Sequence, residues 1–178
     1  PVVLENDVYL STASGDMRFN RPVSEDATPR RLTVDMSSAG DAVRMDAANT
    51  YSGGTILSNG QVEIVNDGAF GTGTIYVRGG TFYCNQVPGY TIGNPIQFDS
   101  ANFYKISSGD LTFTGKWSGT CTQVRGDGGT IVIGGEGDNT CTISKWVVNG
   151  ATFQIDKTDA VQSDSPQNFE FPTWTGSD

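Results

Sequence analysis

Apolar residues recur along this chain in period-two pairs: Met17 and Phe19, Leu32 and Val34, Val43 and Met45, Val62 and Ile64, Ile75 and Val77, Ile96 and Phe98, Leu111 and Phe113, Ile131 and Ile133, Phe153 and Ile155. Each pair puts two side chains on one face of a short strand, and glycine, proline or Asn/Asp-Gly turns separate the pairs. No window repeats apolar positions at three and four, and Gly, Pro or β-branched residues interrupt every candidate, so no helix is predicted. The pattern predicts an all-β chain. A β-sandwich and a β-solenoid both remain compatible with it.

Internal repetition favours the solenoid. SGDMRF from Ser14 to Phe19 matches SGDLTF from Ser108 to Phe113, and Asn59-Gly60 followed by Val62 and Ile64 recurs as Asn149-Gly150 followed by Phe153 and Ile155, at offsets of about 94 and 90 residues. GDAVRMDAANT from Gly40 has a counterpart in GGTIVIGGEGDNT from Gly128, with Asn49 facing Asn139. Units of this kind bury their apolar faces only by stacking on a neighbour. The expectation is one domain over 1–178, with a repeat of about 90 residues at roughly 14–82 and 108–162 and end segments at 1–10 and 165–178. At roughly 20 to 30 residues per coil, the chain would form about six to eight coils and a core about 30 to 40 Å long. The inward columns are expected to include Val62, Ile64, Ile75, Val77, Ile131, Ile133, Phe153 and Ile155.

The stretch NTYSGGTILSNG and the following VEIVNDGAFGTGTIYVRGGTF, together residues 49–82, carry a more specific signal. They resemble the autotransporter-associated β-strand repeat of bacterial secreted passenger domains: Asn-x-Tyr-Ser/Thr-Gly-Gly-Thr, a strand, Gly-Ala-Leu-Gly, a strand, Gly-Gly-Thr. SGDLTFTGKWSG, Ser108 to Gly119, resembles the segment that precedes the next repeat. The second copy departs from the pattern, with Asn139-Thr140-Cys141-Thr142 in place of Tyr-Ser-Gly-Gly and Asp159-Ala160-Val161-Gln162 in place of Gly-Ala-Leu-Gly. The resemblance implies a right-handed parallel β-helix at a bacterial surface. It implies no catalytic residue, because the family motif is a folding motif.

Composition adds few chemical options. The chain has 23 glycines, 36% apolar residues and a net charge of −9 from 11 basic and 20 acidic residues, so nucleic acid and anionic membranes are disfavoured as partners. No run approaches the roughly 18 apolar residues of a membrane-spanning helix. The first residue is Pro1, consistent with a removed signal peptide or with a segment of a longer chain. The absence of histidine removes the Ser-His-Asp and Cys-His nucleophile arrangements. Carboxylate chemistry at Asp127, Glu136 and Asp138 is conceivable, but their glycine-rich surroundings read better as hydrated turns. GGEGDNTCT approaches a calcium-binding nonapeptide, yet Asp138 falls one position early and no tandem copy follows. Neither a metal nor a cofactor is expected.

Trp117, Trp146, Tyr51, Tyr76, Tyr83 and Tyr104 could form a sugar-stacking stripe, against a reading as core and corner packing. Cys121 and Cys141, twenty residues apart, would lie within disulfide range if they took equivalent places on consecutive coils; buried free thiols are the equal alternative, and Cys84 is left over. The leading expectation is a non-enzymatic extracellular rod or adhesive module of a bacterial surface or secreted protein. Its partners would be other copies of itself, neighbouring segments of a longer chain, or cell-surface glycans. The alternatives are a subunit that joins head to tail into fibres through its end segments, and a β-helix enzyme acting on polysaccharides.

Overall fold

The computed structural model describes residues 2–85, 87–135 and 140–157. Within them the chain is all strand and turn, wound into a parallel β-solenoid of about seven turns. The period-two pairs become strands whose apolar members point inward. Three ladders run along the axis. On the first face β2 (Val8–Leu10), β5 (Leu32–Asp35), β7 (Thr55–Asn59) and β9 (Ile75–Val77) stack in order and continue into the start of β12 (Ile96–Ile106). On the second, β3 (Met17–Phe19), β6 (Ala42–Met45), β8 (Gln61–Ile64) and β10 (Thr81–Tyr83) stack beneath the end of β12.

The third face begins with β1 (Val2–Leu4) and β4 (Val23–Glu25) and resumes with β11 (Tyr90–Ile92) and β13 (Leu111–Phe113). Between β4 and β11 it is carried by turn backbone, in which Thr50 N–H donates to Val23 O at 2.9 Å and Thr72 N–H to Tyr51 O at 2.9 Å. β14 (Trp117–Gly135) serves all three faces in one unbroken strand, followed by β15 (Thr140–Ile143) and β16 (Trp146–Lys157).

Coil length varies. Met17 lies beside Val43, but Val43 lies beside Val62, so successive coils here advance by 26 and then 19 residues. More than half of the difference is taken up at one corner, which is the loop 36–41 in one coil and Gly60 alone in the next. Following the ladder from Met17 through Val43, Val62 and Phe82 leads to Lys105 four coils on. Leu111, the sequence counterpart of Met17, is instead on the third face. Val62 and its counterpart Phe153, and Val43 and its counterpart Ile131, are displaced in the same way. The match at about 90 residues therefore compares one face with the next, because both obey the same turn-then-alternate rule.

The core is continuous from Leu4 to Ile143. Val62, Ile64, Ile75, Val77, Ile131 and Ile133 are buried as their alternation implies, and Phe153 is packed against the same cluster. Ile155 is a correction: it continues the column above Ile133 but is 41% exposed, because no described coil lies beyond it. Upper coils are filled by rings. Phe103 stacks on Phe82 at 4.9 Å and meets Phe113 edge-on at 5.4 Å and Trp117 at 5.2 Å.

Candidate functional site

Asn49, Tyr51, Thr55 and the glycines beside them are engaged in stacking one coil on another. The buried Asn49 side chain bridges three coils: its Oδ1 accepts from Val23 N–H at 2.8 Å, and its Nδ2 donates to Ala69 O at 2.8 Å. Tyr51 is fully buried. Thr55 Oγ1 lies 3.2 Å from Phe70 O and 2.7 Å from Tyr51 Oη, so with the threonine proton given to the carbonyl, the tyrosine is the donor to Thr55. Burial pushes the Tyr51 phenol up to about 12. Gly53 packs so closely under the coil below that a Cβ would lie 2.4 Å from the Arg30 carbonyl, and Gly54 has φ +94°, a conformation that other residues rarely adopt. The motif builds shape: the side chains of Asn49, Tyr51 and Thr55 are spent on joining coils.

The carboxylates follow the same logic. Asp127 receives the Arg125 guanidinium at 3.0 and 2.9 Å and the Asn149 amide at 2.9 Å. Burial pushes its carboxyl up, but those hydrogen bonds outweigh burial and hold it below the usual carboxylate value. A carboxylate held this way is a poor general acid at neutral pH. Glu136 and Asp138, with Gly137 and Asn139 between and beside them, lie outside the described residues. Among the described residues no three His, Cys, Asp or Glu side chains converge.

The six aromatic candidates divide. Tyr51 and Trp117 are buried, and Trp146 packs edge-on against Phe153 at 5.1 Å. Tyr76, Tyr83 and Tyr104 face outward, with Arg31 5.3 Å from the Tyr76 ring centre. Cys121 and Cys141 are free thiols. The register shows why they do not take equivalent places: Cys141 lies beside Gly119, whereas Cys121 lies beside Ile143. Burial pushes Cys121 up to about 11, and burial with the neighbouring Cys121 pushes Cys141 to about 12, so neither is a ready nucleophile at neutral pH.

Nothing in the local pattern around Lys105 singles it out. It occupies an inward position after Ala101 and Phe103, yet it is fully buried and its ammonium donates to Ser107 O and Gly128 O, both at 2.6 Å. It ties together the corner carbonyls of two consecutive coils. Burial lowers its pKa, partly countered by Cys84 and Asp110.

One surface feature is unexplained by folding. Where the first face turns into the second, an open groove of about 470 Å³ runs along the axis from Ala39 to Thr122. Gly79 and Gly80 line it together with the polar residues Ser58, Asn59, Thr81, Asn102 and Tyr104 and the cation Arg78. The corner tightens along the axis, and in β12 it is reduced to a bulge at Ser100, with φ 52°. Asn102 Nδ2 donates to the Tyr104 hydroxyl at 3.0 Å, and Arg78 faces Asp99 at 3.5 Å. No described residue hydrogen-bonds the Ser58 or Thr81 hydroxyl. No Asp or Glu is among the lining residues. The groove escapes sequence reading because its walls come from five coils, each with unremarkable polar residues. No protein-family pattern, no curated protein and no solved structure matches this chain.

Proposed function

We propose that this chain is a structural and adhesive β-solenoid module of an extracellular protein at a bacterial surface, without a catalytic role. The observation that carries the reading is the use of Asn49, Tyr51, Thr55 and the adjacent glycines for stacking coils, which leaves the most distinctive segment of the chain as architecture. The resemblance of that segment to the autotransporter-associated repeat supplies the cellular setting. A glycoside hydrolase of the common kind needs two carboxyl groups flanking the scissile bond, and the groove is lined by none. Seven coils at the strand spacing make a body about 34 Å long for the described part. Small-angle scattering is expected to give an elongated particle, and assays against neutral and acidic polysaccharides no turnover. A compact scattering profile, or release of reducing ends that depends on a carboxylate of this chain, would refute the reading.

A head-to-tail fibre is the second reading, and the first coil favours it. Among the described residues β1, β2 and β3 each pair on one side only, so three strand edges face outward along the axis. Val2, Val3 and Tyr9 on that coil are exposed at 39, 50 and 61%. Unpaired parallel edges with apolar neighbours are templates for another chain. Deletion of residues 2–10 should abolish concentration-dependent growth in sedimentation. If the truncated and intact chains sediment alike at every concentration, the fibre reading fails. The end segment 165–178 lies outside the described residues.

A further inference from the structure

We infer that the axial groove is a binding site for a linear, uncharged oligosaccharide, seated across the coils with Tyr104 as its stacking ring. This deepens the adhesive half of the proposed function by naming a ligand class and its location. The groove's direction is the first argument. It crosses the strands at right angles, and the backbone groups of those strands are already committed to the ladders between coils. An extended peptide laid along it would find no main-chain partners, so strand addition has no basis here. Side chains, by contrast, recur up the groove at the coil spacing of about 4.8 Å, a rhythm suited to a chain of rings that offers hydroxyls from each unit.

The chemistry of the walls narrows the class further. Ser58 and Thr81 have hydroxyls without protein partners, which can both donate and accept, whereas the Asn59 and Asn102 amides already donate to Met36 O at 2.6 Å and to the Tyr104 hydroxyl at 3.0 Å and leave their oxygens as acceptors. Tyr104 adds an aromatic surface next to those groups, the combination of stacking and hydroxyl recognition that a pyranose ring offers on its face and its edge. The aliphatic side chains of the lining are those of Ala39 and Ala101, which offer no pocket for an acyl chain or for the anchors of a hydrophobic helix. The single lining cation, Arg78, faces Asp99, and the chain as a whole carries −9, so a polyanion is repelled rather than drawn in. The volume of about 470 Å³ and the span from Ala39 to Thr122, four coil steps or about 19 Å, suit a few sugar units rather than a single one.

The test is calorimetric titration of the intact chain with cellohexaose, maltohexaose, chitohexaose and tetragalacturonate, repeated with Tyr104→Ala and with the double variant Ser58→Ala, Thr81→Ala. These side chains stand at the surface, and a thermal melt of each variant verifies folding. At least one neutral hexasaccharide is expected to bind, with affinity falling at least tenfold in Tyr104→Ala and several-fold in the double variant. Tetragalacturonate should bind more weakly than the best neutral sugar at low salt. The inference is overturned if none of the neutral hexasaccharides binds, if tetragalacturonate binds best, or if folded Tyr104→Ala binds as the intact chain does. Scattering on the same samples separates the two readings: an elongated particle that binds no sugar removes the groove and leaves the scaffold standing.

Discussion

Between Val23 and Phe70 the coils are joined by an amide and two hydroxyls buried among aliphatic side chains, whereas between Phe82 and Trp117 they are joined by rings and one ammonium. The two regions solve the same problem. Carbonyls and N–H groups at a corner point along the axis toward a neighbouring coil that has no strand there to receive them. Asn49 answers with a neutral group that donates and accepts at once, which leaves no charge in the core. Lys105 only donates, and it brings a charge that burial disfavours. Corner chemistry is therefore interchangeable, while the cost attached to each solution is not.

The largest effect should come from the ringed region. Phe103→Ala empties the centre of a cluster that includes Phe82, Phe113 and Trp117, and a loss of about 3–5 kcal/mol is expected in urea unfolding. A loss below that of Asn49→Ala would reverse the ranking of the two regions. Asn49→Ala leaves the Val23 N–H and the Ala69 carbonyl without partners in the interior, at about 2–4 kcal/mol. The same change at exposed Asn149 should be much smaller, which distinguishes the bridging role from a general preference for asparagine at turns.

Tyr51→Phe removes a hydrogen bond but keeps the ring, so about 1 kcal/mol should be lost at pH 7. Its more diagnostic effect is alkaline. The folded phenol titrates at about 12 and the ordinary one at 10.0, so the unfolded chain loses its proton first. Stability from this group is complete below pH 10 and falls as the pH rises toward 12, and the Phe variant should show a shallower decline there.

Lys105→Met should have the smallest net effect, within about 1 kcal/mol at pH 7, because two lost hydrogen bonds are set against a buried charge removed. Its pH signature has the opposite sign. The folded amine titrates below its ordinary 10.5, so between the two values the unfolded chain holds the extra proton, and stability rises with pH through that window. Methionine should abolish the rise. Denaturation midpoints from pH 8 to 12 for both variants would test the contrast, and identical profiles would mean that the two corners do not differ electrostatically.

Much of the fold was legible in the sequence. The nine apolar pairs all fall on strands, because alternation of inward and outward side chains is a local rule that each strand obeys by itself. The rule is blind to which face a strand occupies, and so the blocks at about 90 residues matched across faces. Lys105 was invisible for a related reason: only the ladder through Met17, Val43, Val62 and Phe82 places it in an apolar column. The cysteine spacing misled by two residues, since the local coil is longer than twenty. The groove was the least legible feature, because Ser58, Arg78 and Tyr104 acquire joint meaning only when three coils are stacked.

The unbroken course of β14 around all three faces has a mechanical consequence. A strand of 19 residues bonded to neighbours on both sides acts as a hoop, so force applied there must break ladders on several faces together. The first coil is built from three-residue strands joined by turns, each bonded on one side, and can peel away a segment at a time. Under tension the short-strand coils should yield before β14, with the hoop as the point where unravelling stalls.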